Sequence, residues 1–319
     1  MATEDLKFIP VDIHHPETAR AFIAFLEPFL PSSCALIGLA QSHLTPQPDP
    51  YLKVRATFDF SSYRTTSKAP ELFAVALFTP TQGRLFCSAD ASSEDVAPEE
   101  LAHREKVARL YVVTASSLVR TLPGHEEDSE YILGVVHEKF APLVRPYARG
   151  TPIAPCRLFF YPPSNTEVID TAATGPGARW LVTNLEESDL ELVRSTSQVQ
   201  RTIEYLRTRI PVSTCIRDPD SADGKRLVAW VVKQSDGSLG LLYVDPAYRG
   251  KGLGGLAVRE CMKRLNEKSE NFGLASQWNF VEVFRENSLG IGFFSRQKGW
   301  EAGWETWWVR LDVAKYSAA

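Results

Sequence analysis

The second half of this chain has no histidine, and neither half has the cysteine pattern of a metal site. All 6 histidines lie within the first 137 of 319 residues. The 5 cysteines are widely scattered and include no C-x-x-C pair, which argues against both a zinc site and a disulfide framework. We therefore expect buried, reduced thiols, a cytoplasmic location and no bound metal.

Long apolar runs and a strong net charge are also absent. No stretch approaches the roughly 18–20 apolar residues of a membrane-spanning helix, and the acidic N-terminal segment does not resemble a secretory signal. A net charge of −4 gives no reason to expect nucleic acid as the main partner. The composition, with 44% hydrophobic and 23% charged residues, is that of a globular protein. At ~150 residues per domain, the length suggests about two domains.

Helical and strand patterns alternate along the chain, so we predict an α/β fold. Apolar spacing predicts helices at 16–30 and about 98–119, and a hairpin with strands at 72–78 and 84–89. The apolar run at 34–40 predicts a buried strand. Residues 162–179 are rich in Pro, Gly, Thr and Ala without any periodic pattern, which favours a domain boundary there.

Residues 239–265 combine a strand, a basic glycine-rich loop and a helix. The apolar run LGLLYV is followed by Asp245-Pro246, then by RGKGLGG, then by a helical apolar pattern. The first turn of a helix presents unpaired N–H donors and a partial positive charge, and glycines allow a phosphate to approach that backbone. Arg249 and Lys251 add two positive charges to the loop. This pattern predicts a pyrophosphate site.

Two common phosphate-binding motifs fit this loop poorly. A Walker loop requires Gly-Lys-[Ser/Thr], whereas Lys251 is followed by Gly252, so the hydroxyl for magnesium is missing. Gly250, Gly252 and Gly255 satisfy the spacing of a Rossmann fingerprint. That fingerprint should follow a parallel strand directly, whereas here the strand is predicted to arrive by an antiparallel hairpin and DPAYR intervenes.

A third motif fits better. Val244-x-Pro246-x-x-Arg249-Gly250-x-Gly252-x-Gly254 resembles the acetyl-CoA-binding motif of the GNAT superfamily of N-acetyltransferases, and ENSLGIGFFSRQKGW at 286–300 resembles a later motif of that family. The spacing of the hairpin and loop resembles the glycine N-acyltransferase-like branch. The resemblance covers residues 178–319 well.

The resemblance implies a GNAT-type fold, a mixed, largely antiparallel twisted sheet flanked by helices, in two tandem copies. Residues 1–165 would form a degenerate N-terminal copy, and residues 178–319 a catalytic domain that binds acyl-CoA. The implied activity is direct transfer of an acyl group, acetyl first of all, from CoA to a small amine or amino acid, by a monomer or homodimer. The residues expected to bind the acyl-CoA are Tyr243, Val244, Arg249, Gly250, Lys251, Gly252, Leu253, Gly254, Gly255, Asn287 and Phe294.

The catalytic residues are harder to assign. Without a histidine in the second half, a carboxylate is the expected base, and Glu282 on the strand WNFVEVF is the first candidate. A solvent-facing strand carboxylate is an equally good interpretation of it. The family's usual acid is a tyrosine where this chain has Phe294, so Ser295 or a water molecule would protonate the leaving thiolate. Asn287 fits either a pantetheine contact or a helix N-cap.

Two alternative functions stay open on this sequence. Phe294 at the usual acid position favours a regulatory module that binds acyl-CoA but has weakened chemistry. A protein N-acetyltransferase is the other alternative.

Overall fold

A computed structural model describes residues 6–44, 49–66, 68–91, 97–123, 130–150, 153–163, 179–222, 224–271 and 278–316. The strands are β1 Ile9–Val11, β2 Lys53–Ala56, β3 Ala74–Phe78, β4 Gln82–Cys87, β5 Tyr131–His137, β6 Ile153–Tyr161, β7 Leu181–Thr183, β8 Ser213–Asp218, β9 Arg226–Lys233, β10 Leu239–Val244, β11 Asn279–Phe284 and β12 Glu301–Leu311. The helices are α1 Pro16–Leu26, α2 Cys34–Ser42, α3 Phe60–Thr66, α4 Pro98–Val119, α5 Ala141–Val144, α6 Leu190–Thr196, α7 Ile203–Arg209, α8 Leu253–Asn271 and α9 Ser288–Phe294.

The order of elements repeats along the chain. From β1 to β6 the chain forms one strand, two helices, three strands, a long helix, a strand, a short helix and a strand. The same order recurs from β7 to β12, and α3 is an insertion in the first series. The two series differ before their long helices. A glycine-rich loop precedes α8, whereas the corresponding stretch before α4, SADASSEDVA, has no glycine. The repeat agrees with two tandem copies of one fold.

The strands form two largely antiparallel sheets. The larger sheet has the order β1-β2-β3-β4-β5-β12-β6-β11, and the smaller sheet has the order β10-β9-β8-β7. In the larger sheet β4 and β5 are parallel and are paired at Gln82–Ile132 and Gly83–Leu133. In the smaller sheet each neighbouring pair is antiparallel, and β10 is an edge strand.

The chain divides into two compact units. The first unit comprises Met1–Leu158, Val283–Ser288 and Gly303–Ala319, and the second comprises Phe159–Glu282 and Leu289–Ala302. A core around Val107, Tyr111 and Leu133 fills the first unit, and a core around Leu190, Leu206 and Trp230 fills the second. Residues 164–178, most of the predicted boundary stretch, lie outside the described residues. The domain limits 1–165 and 178–319 therefore remain a prediction.

Most elements predicted from the apolar spacing are present. The helix at 98–119 is α4, which begins with Pro98 at its first turn while Glu100 accepts a hydrogen bond from the backbone N–H of Ala97 at 3.1 Å. The hairpin at 72–89 is β3 and β4. The helix at 16–30 ends at Leu26 and continues as a 3₁₀ turn that contains Pro28.

The strand predicted at 34–40 is wrong, because these residues form α2. Every residue from Cys34 to Ala40 is buried, so the run has no polar side chain to reveal its period. A short, fully buried apolar run is compatible with either secondary structure.

The 5 cysteines are all buried thiols without a disulfide bond, as expected. None of the helices in the described part of the chain combines the length and apolarity needed to cross a bilayer. Within the same residues, no group of three or more His, Cys, Asp or Glu side chains is placed to hold a metal ion.

Candidate functional site

The loop between β10 and α8 has a backbone suited to an anion. Pro246–Tyr248 form a 3₁₀ turn, in which the Asp245 carboxylate accepts a hydrogen bond from Ala247 N–H at 2.9 Å. Gly250 and Gly252 both have φ of +77°, and nothing lies within 4 Å of the position of a Cβ on either. The left-handed conformation requires glycine, and the open space above it leaves room for a ligand. Helix α8 starts at the next residue, with its first N–H groups at this opening.

Gly254 and Gly255 have a different role from Gly250 and Gly252. A Cβ on Gly254 would lie 3.1 Å from Cε2 of Phe293, and one on Gly255 would lie 3.2 Å from Oε1 of Gln297. These two glycines therefore permit α9 and the residues after it to pack closely on the first turn of α8. The four glycines divide into a pair that shapes the loop and a pair that permits helix packing.

Strand β10 is irregular next to this loop. Leu241 has φ of +55°, and the pairing register with β9 shifts between Gly240 and Tyr243. A β-bulge of this kind bends the strand and removes backbone groups from the ladder. Because β10 is also the edge of its sheet, one side of its backbone is available to an extended ligand. Tyr243 is held in place by stacking on Trp230, with ring centroids 4.5 Å apart.

Polar contacts anchor the loop to the neighbouring strands. Tyr248 donates its hydroxyl hydrogen bond to Asp218 at 2.7 Å, and Arg226 donates to Asp245 at 2.9 Å. The Tyr248 hydrogen bond is the main cause that lowers the pKa of Asp218, and it raises the pKa of Tyr248. Lys251 lies over the Tyr248 ring, 4.6 Å from its centroid. Tyr248 thus links the end of β8 to the glycine loop.

Arg249 and Lys251 are both exposed at the loop surface. Arg249 Nε donates to the carbonyl oxygen of Val244 at 3.3 Å. Its guanidinium group therefore lies next to the end of β10, where that strand enters the loop. The structure brings Val244, Arg249, Lys251 and the glycine backbone together at the start of α8.

The candidate catalytic residues lie on or next to β11 and α9. Glu282 is half-buried, and the side chains on either side of it in β11, Val281 and Val283, are each 5% exposed. Ser295 is exposed and directly follows α9, donating its backbone N–H to Ile291 at 3.0 Å. Glu282 therefore belongs to a partly buried surface, whereas Ser295 is open to solvent.

Phe294 and Asn287 have local structural roles. Phe294 is 2% exposed and packs against Phe159, Phe293 and Trp300. Its ring thus belongs to the interior of the second unit. Asn287 immediately precedes α9, and its backbone N–H donates to Phe284 at 2.8 Å.

Sequence reasoning missed the bulge at Leu241 and the Tyr248–Asp218 contact. Leucine gives no local sign of a left-handed conformation. The separation of 30 residues between Asp218 and Tyr248 carries no periodic signal.

Comparison with known proteins identifies the fold. Residues 220–309, which contain β10, the glycine loop and α8, match the family model described as FR47-like protein. An X-ray structure of a Drosophila protein superposes with a TM-score of 0.64 at 13% identity, covering 97% of this chain and 99% of that one. The chain therefore shares the fold of that Drosophila protein, and its second half is similar to the FR47-like family.

Other solved structures with a GNAT description resemble the chain more distantly. A GCN5-related N-acetyltransferase from Sphaerobacter thermophilus has a TM-score of 0.46 at 12% identity, covering 89% of this chain and 92% of its own. A tandem GNAT protein from the clavulanic acid biosynthesis pathway also has a TM-score of 0.46, at 13% identity, covering 95% and 98%. No curated protein sequence matches the chain.

Proposed function

We propose that this protein is an acyl-CoA-dependent N-acyltransferase that transfers an acyl group, acetyl first of all, to the amine of a small molecule or amino acid. The observation that carries the proposal is the paired left-handed backbone of Gly250 and Gly252 directly before α8. This opening presents helix N–H donors to an anion between Arg249 and Lys251. The resemblance of this part of the chain to GNAT acetyltransferases, together with the loop, supports acyl-CoA as the ligand.

The bulged edge strand supplies the second part of the proposed site. With the pyrophosphate on the N–H groups of Leu253, Gly254 and Gly255, the pantetheine arm extends along the free edge of β10. A backbone N–H of Tyr243 or Val244 then polarises the thioester carbonyl and stabilises the developing oxyanion. Holding the amine beside the thioester supplies much of the rate as an effective concentration.

The reaction needs two proton transfers. The neutral amine attacks the thioester carbonyl, a C–N bond forms, and the C–S bond breaks to release the CoA thiolate. Glu282 takes the proton that the amine loses, and Ser295 or water protonates the thiolate. In Glu282→Gln, we expect kcat to fall by roughly 10²–10⁴-fold while the affinity for CoA is unchanged. In Ser295→Ala, we expect a smaller loss, because a thiolate is a tolerable leaving group.

Release of free CoA from acetyl-CoA in the presence of a panel of amines and amino acids tests the activity. The binding site is tested by calorimetry on Gly252→Asp, whose carboxylate would face the phosphates, and on the uncharged, isosteric control Gly252→Asn. We expect the Asp variant to lose CoA binding and the Asn variant, which lacks the charge, to lose much less affinity. Equal affinity of the wild type and Gly252→Asp would refute the site.

A second function is favoured by the burial of Phe294. Because this ring lies in the interior and carries no ionisable proton, a module that binds acyl-CoA without efficient chemistry is the alternative. CoA binding without turnover of any amine would favour this module over the enzyme.

A further inference from the structure

Two arginine side chains lie against the ring of Tyr205 on helix α7 in the second unit. The guanidinium carbon of Arg201 is 5.3 Å from the ring centroid, and that of Arg209 is 5.5 Å from it. These contacts place all three side chains on one side of the helix. The attraction between a cation and an aromatic face holds each guanidinium group in position. We call Arg201, Tyr205 and Arg209 the arginine stripe.

Within the described residues, neither arginine of the stripe forms an ion pair with a carboxylate. Arg201 donates a hydrogen bond to Oε1 of Gln234 at 2.9 Å, and Arg209 donates one to a neighbouring threonine hydroxyl at 3.1 Å. The buried Nε of Arg201 has no hydrogen-bond partner in this part of the chain. By contrast, Arg207 on the same helix is paired with Glu187. A guanidinium group has five N–H donors, so both arginines of the stripe keep donors and a full charge for an anion.

Gln234 connects the arginine stripe to the edge strand β10. Its Oε1 also accepts a hydrogen bond from the Tyr205 hydroxyl at 3.2 Å. Its Nε2 lies so close to the position of a Cβ on Gly240 that any side chain there would clash. The glycine therefore allows the Gln234 amide to lie over the first half of β10. Tyr205 packs against the same core as Leu241 and Tyr243, so the stripe lies on the face of the sheet that these side chains share.

The stripe is at the end of β10 that is away from the glycine loop. The loop follows Val244, and the proposed thioester contact is at Tyr243 or Val244, whereas Gly240 is next to the start of the strand. At ~3.3 Å per residue, Gly240 lies within about 10 Å of Tyr243. The donor enters from the loop, which leaves the Gly240 end of the strand for the acceptor.

We propose that Arg201 and Arg209 bind an oxyanion on the acceptor, so that the substrate is an amine that also carries a carboxylate or a phosphate. The inference rests on the proposed function, since an acceptor site needs a bound donor beside it. Guanidinium groups form charge-assisted hydrogen bonds with either oxyanion. A polyamine or a lysine-rich peptide would instead meet two like charges at this end of the strand.

Steady-state acetylation of matched acceptor pairs, measured as CoA release, tests the proposal. One arm compares amino acids with their carboxamides, and the other compares O-phosphoethanolamine with ethanolamine, so that the arms separate carboxylate from phosphate. We expect the wild type to prefer the anionic member of at least one arm by about tenfold or more in kcat/KM, since the contacts are charge-assisted hydrogen bonds.

In Arg201→Gln and in Arg209→Gln, we expect KM for the preferred anionic acceptor to rise about tenfold, with a much smaller change in kcat. The effect on the neutral member of the pair should be far smaller, and the affinity for CoA in calorimetry should stay near the wild-type value. Arg201→Lys keeps the charge and should retain part of the preference. Thermal unfolding should show that all variants are folded.

The matched control is Arg207→Gln, which removes the same charge from an exposed position of the same helix. Its surface ion pair with Glu187 contributes little to stability, so this variant should keep the wild-type preference. A wild type that acetylates neutral or cationic amines as well as anionic ones would overturn this inference and leave the proposed function standing. So would equal losses for both members of a pair in the two Gln variants of the stripe. If the wild type acetylates no amine of any class, the proposed function and this inference both fail.

Discussion

Replacing Gly252 with alanine measures the free-energy cost of the left-handed backbone conformation just before α8. Gly252 has φ of +77° with nothing within 4 Å of a Cβ, so the substitution adds conformational strain without a clash. An L-residue in this region costs about 1–2 kcal/mol. If the loop keeps its shape, the protein loses this amount of unfolding free energy. If the loop relaxes to negative φ, CoA binding must restore the shape, and the affinity falls about 5–30-fold.

The two losses should therefore add up to about 1–2 kcal/mol when urea unfolding and calorimetric CoA binding are measured on one variant. Gly150→Ala is the matched control, because Gly150 has φ of +72° and equally open surroundings but belongs to the first unit, whereas the loop belongs to the second. It should lose the same stability and keep its CoA affinity. The reasoning is refuted if Gly252→Ala changes neither quantity, or if Gly150→Ala weakens CoA binding.

Three further predictions concern packing, pH and the loop anchor. Gly134→Ala places a Cβ 2.7 Å from Cζ3 of Trp308, so the unfolding free energy in urea should fall by about 1–3 kcal/mol. Burial lowers the pKa of His137 from 6.5 to about 4, so the unfolded chain takes up the proton first. Stability should fall by up to ~3 kcal/mol between pH 6.5 and 4, and His137→Asn should flatten this slope. Tyr248→Phe removes the hydrogen bond to Asp218 and should weaken CoA binding measured by calorimetry, whereas unchanged affinity would show that the loop needs no such anchor.

The glycine loop and the long helix α4 were predictable because their signals are local. Pro98 and the acidic first turn mark the start of α4, and the apolar spacing continues to Val119. The glycines and basic residues at 249–255 are adjacent in sequence, so the anion site proposed there rests on local helix geometry. The differing roles of Gly252 and Gly254 were not predictable, because they depend on where α9 packs.

The conformation of α2 and Leu241 and the surroundings of Phe294 depend on tertiary contacts, which local sequence patterns do not reveal. Residues 34–40 of α2 have no polar side chain, so their sequence shows no helical period, and only the surrounding structure shows that they form a helix. The left-handed Leu241 is stabilised by its sheet and its core, where it packs against the Trp230 cluster. Phe294 occupies a position that the family resemblance assigns to an acid, yet its surroundings are aromatic rings. In each case the side chain's role depends on residues far away in the sequence.

The first unit is assembled from segments that lie far apart in the sequence, so the ribosome synthesises them at different times. Strand β12 pairs with β5 from Thr306–His137 to Leu311–Tyr131, and Val309 and Leu311 belong to the core that surrounds Tyr111. A nascent chain that has emerged only as far as residue 160 therefore has α4 and β5 but lacks the strand that covers one side of β5. An uncovered strand edge is prone to pair with other chains. Completion of this core must wait for synthesis of residues 303–319, so fragments that end before them are expected to aggregate when expressed alone.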